Sequence, residues 1–148
     1  MRGFTITELL VVMAILAILF TVGLTNWKRQ IGVGLDARKK GDLQNLKVAL
    51  EQYYNDYDCY PPQALLSSCG GSGLVPYMQS IPCDPDFNTA YRYEPQDPTS
   101  ICRGYRLFTK LHDTSDPAIV RAGCDPVTGC NGDAKYNYGV SEGGGVGQ

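Results

Sequence analysis

From Phe4 to Leu24 the chain is almost unbroken apolar sequence, interrupted only by Thr5, Thr7, Glu8, Thr21 and Gly23. A run of this length suits a membrane-spanning helix of about 20 residues. Its single charge, Glu8, stands near the head of the run. A carboxylate inside such a segment costs on the order of 2.5–3.5 kcal/mol by insertion scales, so a cationic partner is expected. From Asn26 to Tyr57 the pattern changes but stays helical. Ile31 and Leu35 are four apart, and Leu43, Leu46, Leu50, Tyr53 and Tyr57 then alternate three and four apart, which predicts one apolar stripe. Arg38, Lys39, Lys40, Asp42, Lys47 and Glu51 are expected mainly off that stripe. Tyr60-Pro61-Pro62 stops the helix, because proline has no amide proton and disfavours helix at the residue before it. One helix from Phe4 to about Tyr57 is ~80 Å long. That is too long for the interior of a small domain, so the first half is expected to project and the second half to carry a globular cap. Gly23, Gly32, Gly34 and Gly41 each cost roughly 1 kcal/mol against alanine and predict curvature.

The rest of the chain reads differently. Most of its 17 glycines and 9 prolines follow residue 58, which predicts a loop-rich second half. Tyr91–Glu94, Cys102–Leu111 and Tyr136–Val140 carry partial alternation and β-friendly residues, so they read as short strands. Gly143 to Gln148 reads as a flexible tail. The predicted fold class is α+β: a long N-terminal helix, membrane-spanning in its first half, and a small antiparallel sheet lying on its apolar stripe. About 120 residues remain outside the membrane segment, enough for one small domain.

All six cysteines (Cys59, Cys69, Cys83, Cys102, Cys124 and Cys130) lie after the apolar run. An even number in a small, loop-rich domain predicts disulfides in an oxidising compartment. The rival is a metal site, but there is no Cys-x-x-Cys, and His112 is the only histidine. Six cysteines allow fifteen connectivities. Cys124 and Cys130 bracket a short loop of turn residues and are the easiest pair to close.

Charge and motifs exclude several functions. A net charge of −2 offers no basic field for nucleic acid. No Gly-x-Ser-x-Gly, paired histidines or dinucleotide fingerprint occurs, and acidic residues such as Asp84, Asp86 and Asp97 sit beside prolines as turn formers, so no catalytic residue is assigned. A cleaved secretory signal does not fit: Arg2 alone forms the basic head, the apolar run is too long, and no Ala-x-Ala follows it. Lys28 and Arg29 after the run oppose Arg2 before it, so the positive-inside rule alone points the C-terminal part inward. The cysteines argue for the opposite orientation.

Met1 to Glu8 and the apolar run behind them resemble the leader of type IV pilins and type II secretion pseudopilins. Leu46–Tyr57 followed by Tyr60-Pro61-Pro62 looks like the end of the long helix in major pseudopilins, and Pro76–Met78, Pro82–Pro85 and Tyr91–Pro95 are similar to their loop and strand segments. The chain departs from the pattern in two places. Leu24 to Trp27 stands where a proline is common, and six cysteines exceed the usual number.

The resemblance implies a leader peptide at 1–3, a transmembrane and assembly helix at 4–25, the amphipathic second half of the helix at 26–58 and a globular domain at 59–148. It implies cleavage between Gly3 and Phe4, methylation of the new Phe4 amine, and Glu8 as the assembly carboxylate. The implied product is a structural subunit of a homo-oligomeric filament, single-pass in the inner membrane, with its domain periplasmic or extracellular. The implied partners are sister minor pilins or pseudopilins, a prepilin peptidase and methylase, the inner-membrane assembly platform and membrane lipid. No nucleic acid is expected for a pseudopilin, and no cofactor is required. Major pseudopilins bind calcium near the C-terminus; the corresponding candidates are Asp133, Ser141 and Glu142. Two carboxylates are few for an ion that takes six to eight oxygens.

Overall fold

The computed structural model describes residues 5–97, 100–142 and 145–146, without the side chains of 22–29, 97, 100 and 101. Helix α1 covers Ile6–Tyr57. Short helices α2 (Gln63–Leu66) and α3 (Pro117–Arg121) and strands β1 (Arg92–Asp97), β2 (Ser100–Thr109) and β3 (Tyr138–Ser141) complete the described elements. The chain divides into two compact units, Met1–Gly34 and Leu35–Gln148.

Local chemistry sets both ends of α1. Thr5 caps its start: the Glu8 amide donates to Thr5 Oγ1 at 3.3 Å and to the Thr5 carbonyl at 3.1 Å. Thr5-Ile6-Thr7-Glu8 thus has the threonine-to-glutamate spacing of a capping box, and Glu8 in the first turn favours the positive end of the helix dipole. At the other end Asp58 turns into the left-handed region (φ 54°), and its amide still reaches the Tyr54 carbonyl at 2.8 Å. Tyr60-Pro61-Pro62 follows, as the sequence requires.

In the second unit β1, β2 and β3 form an antiparallel sheet in that order. The three strands overlap the segments where alternation placed them, with their ends shifted by one to three residues. Tyr93 pairs with Leu107 and Leu107 with Val140, which lines up a buried inner face. These residues join Leu43, Leu46 and Leu50 of α1 in one core cluster with Leu66, Leu74, Ile81, Leu111 and Ile119. Burying each leucine contributes about 1.5–3 kcal/mol. Pro95 lies on the edge strand β1, where its missing amide costs no ladder bond to a further strand.

Two expectations are corrected. The buried stripe of α1 runs Asp36, Lys39, Leu43, Leu46, Leu50, whereas Ile31 and Tyr57 are exposed and Leu35 and Tyr53 half-buried. The three-and-four spacing therefore continues toward the N-terminus through charged residues. The C-terminal glycines are also not simply a tail. Val146 is 1% exposed and donates its amide to the Ala122 carbonyl at 2.8 Å. Residues 143, 144, 147 and 148 lie outside the described residues.

Candidate functional site

The first unit carries the assembly candidates. Gly3 and Phe4 lie outside the described residues. Glu8 is exposed in the first turn of α1, and no side-chain partner meets its carboxylate among the described residues. Behind it Leu9, Leu10, Val11 and Val12 are between 45 and 63% exposed. Successive residues of an α-helix step about 100° around the axis, so these four alone sample most of its circumference. Met13, Ile15, Leu16, Ile18, Leu19 and Phe20 continue the same all-round exposure. Thr21 interrupts it quietly, returning its hydroxyl proton to the Ala17 carbonyl at 2.8 Å. A helix apolar on every face is stable only in lipid or among other apolar helices. Among the described residues no helix is long and apolar enough to cross a membrane.

The second unit holds the residues that the hydropathy pattern missed. Asp36 is buried on α1 and accepts the amides of His112 and Asp113, each at 2.8 Å. Lys39, fully buried, places Nζ 2.5 Å from Asp86 Oδ2, 2.7 Å from the Lys110 carbonyl and 3.7 Å from Asp84 Oδ1. His112 Nε2 lies 2.8 Å from the same Asp86 oxygen. Thr109 donates to Asp84 Oδ2 at 3.1 Å. Lys40 pairs with Asp116 at 2.5 Å. Burial opposes ionisation of Asp86, but hydrogen bonds from Lys39 and His112 outweigh it and hold the carboxyl below the usual range. The Lys40 bond, with the Ala118 amide, does the same for Asp116. The signal in the sequence was spacing alone: Lys39 stands four residues ahead of Leu43, and Asp36 three ahead of Lys39, in line with the leucine stripe.

Further along α1, Glu51 accepts the hydroxyls of Tyr60 at 3.2 Å and Tyr105 at 3.3 Å. Burial first, then the Glu51 charge, pushes both phenols above their ordinary pKa. Lys47 donates to the Ser141 carbonyl at 2.9 Å, tying β3 to the helix. These contacts order α1 against the sheet.

The cysteines pair as Cys59–Cys102, Cys69–Cys83 and Cys124–Cys130, and none is free. The first joins the residues just after α1 to β2. The last closes the loop that Asp125 organises by accepting the Val127 and Thr128 amides at 2.7 Å each.

The calcium candidates are engaged within the chain. Asp133 accepts the Lys135 amide at 2.9 Å, and Ser141 donates to the Gly145 carbonyl at 2.8 Å. Glu142 accepts the Tyr105 amide at 2.8 Å. Among the described residues no three histidine, cysteine, aspartate or glutamate side chains converge on one point.

Residues 1–24 match a known family, the prokaryotic N-terminal methylation motif. The chain therefore opens with a prepilin-type leader. The leader match includes Gly3, Phe4 and Glu8 and ends before the second unit begins. No curated protein and no solved structure matches the chain. The leader supports a pilin-like structural subunit processed by a prepilin peptidase.

Proposed function

We propose that this protein is a filament subunit of a type II secretion system, held in the inner membrane and polymerised into a pseudopilus that supports protein export. One observation carries the reading: behind a prepilin-type leader, apolar side chains from Ile6 to Phe20 are exposed on every face of the helix. Such a surface suits lipid before assembly and a core of packed helices after it. Residues 4–25 form the membrane segment, and the disulfide-bonded domain lies on the periplasmic side, where cystines persist.

Glu8 supplies the register. Cleavage after Gly3 leaves a cationic amine on Phe4, which is then methylated and stays cationic. The amine of a neighbouring subunit, reached by an axial stagger, pairs with the Glu8 carboxylate. An unpaired carboxylate in an apolar core is penalised, so misaligned subunits are disfavoured. Calcium at Asp133, Ser141 and Glu142 belongs to this proposal only as a secondary site, since each group already has a partner within the chain.

A surface type IV pilus, serving adhesion, twitching or DNA uptake, is the second reading. The Cys124–Cys130 loop favours it, being similar to the disulfide-bounded region of true pilins. Deleting the gene separates the two. Loss of folded-protein export with twitching and DNA uptake intact supports the pseudopilus. The reverse pattern assigns the surface pilus.

A further inference from the structure

The second unit has a cavity of about 570 Å³ whose lining includes Phe87, Tyr136, Arg92, Lys110 and Lys135. Phe87 is 69% exposed at this site. Asp84 also lines it, but its carboxylate is committed to Lys39 and Thr109. Arg92 is committed to Glu94 at 2.8 Å. Lys110 and Lys135 have exposed side chains with no ion-pair partner among the described residues. The cavity thus offers aromatic walls and two available cations, which favours an anionic occupant with a planar ring.

The same unit carries a segment of that chemistry. Asp56 and Tyr57 end α1 and Asp58 follows them, and all three are exposed; Tyr57 keeps 60% of its surface in solvent. Asp56 accepts the Tyr77 hydroxyl at 2.6 Å, and the Tyr57 ring lies 4.5 Å from that of Tyr53 at a 30° tilt, so the tip is ordered before it meets anything. An ordered tip loses little entropy on docking.

The tip and the Lys110 end of the cavity sit at different heights along α1. Gln63, Leu66 and Ser67 line the other end of the cavity, while Lys39 Nζ holds the Lys110 carbonyl at 2.7 Å, which places the Lys110 end near residue 39 of the helix. Tyr57 is 18 residues further on, about 27 Å at 1.5 Å per residue. Among the described residues neither Asp56 nor Asp58 forms an ion pair with Lys110 or Lys135 of its own chain. A contact between two such different patches is heterologous, and it repeats into an open fibre when the rotation does not close.

We propose that the Asp56-Tyr57-Asp58 tip of one copy seats in the Lys110/Lys135 cavity of the next, with the tyrosine ring against the aromatic walls and the carboxylates facing the lysines. This contact between domains rests on the filament reading and is additional to the N-terminal helix packing.

Charge reversal in the full-length chain tests it. K110E/K135E and D56K/D58K are each expected to lower sheared-fibre yield by about tenfold, because like charges then face across the contact. The quadruple variant restores the attraction and recovers the yield. A photo-reactive phenylalanine analogue in place of Tyr57 is expected to cross-link to a peptide of a second copy containing Phe87, Lys110 or Lys135. Leader cleavage and the absence of alkylatable thiols show that each variant is processed and folded; a variant that fails there is replaced by K110Q/K135Q or D56N/D58N, for which a partial loss is expected. Wild-type yield in the reversed or neutralised variants, no recovery in the quadruple variant, or cross-linking to a different protein overturns this contact and leaves the filament reading standing. Absence of fibres from the wild-type chain overturns both.

Discussion

Lys39 Nζ lies 2.5 Å from Asp86 Oδ2, and the lysine is wholly removed from solvent. The pair joins α1 to the turn before β1, across 47 residues of sequence. Breaking a buried pair from one side leaves the other charge without its counter-ion. Lys39→Met is therefore expected to destabilise the folded domain by about 3 kcal/mol, at the low end for such pairs because Asp86 keeps His112. Arg38→Met removes only an exposed pair to Asp42 at 3.8 Å and is expected to cost less than about 1 kcal/mol. Thermal unfolding of the full chain in detergent, followed by near-UV circular dichroism, compares the two.

Acid acts on the same contacts. The Asp86 and Asp116 carboxyls are held below the usual range, so their stabilisation is complete above the unfolded-state pKa of about 3.9 and is lost as pH falls through the folded-state values. The melting temperature is expected to be insensitive to these two groups above about pH 5 and to drop below about pH 4. Asp86→Asn is expected to melt earlier than wild type at pH 7, with the gap closing toward pH 3. A gap that stays constant across that range contradicts the assignment.

Gly104 has a backbone that other residues rarely adopt (φ 136°), and a Cβ there overlaps the Glu142 carboxylate. That carboxylate holds the Tyr105 amide at 2.8 Å. Gly104→Ala is expected to cost about 1–3 kcal/mol through backbone strain, plus the displaced Glu142 contact. Adding Glu142→Ala relieves the overlap but not the strain, so the double variant should stay below Glu142→Ala alone in melting temperature. Equal melting of those two removes the backbone argument.

Much of this was legible because the signals were local. The leader and apolar run are contiguous, so the prepilin-type leader stood out as one signal. Leu43, Leu46 and Leu50 announced their face by spacing, and β2 by its alternation. Cys124 and Cys130 bracket a turn and read as a pair. Cys59–Cys102 did not, because only the folded sheet brings β2 to the end of α1. Asp36 and Lys39 escaped for a related reason. A hydropathy pattern places charges in water unless their partners are known, and the partners of these two lie far along the chain: Asp84, Asp86 and the backbone from Lys110 to Asp113. Val146 was hidden by the glycines around it.

The central claim is that exposed apolar helices behind a prepilin-type leader assemble into a fibre, with Glu8 setting their register. Its most direct test is recovery of sheared fibres from cells that express the full chain with a prepilin peptidase and its assembly platform, followed by intact-mass analysis. The account predicts wild-type fibres built of chains that begin at a methylated Phe4. It also predicts that Glu8→Ala is cleaved normally but remains in the membrane fraction. Processed wild-type chain that never enters fibres contradicts the filament claim, and normal fibre yield from Glu8→Ala contradicts the charge pairing that sets its register.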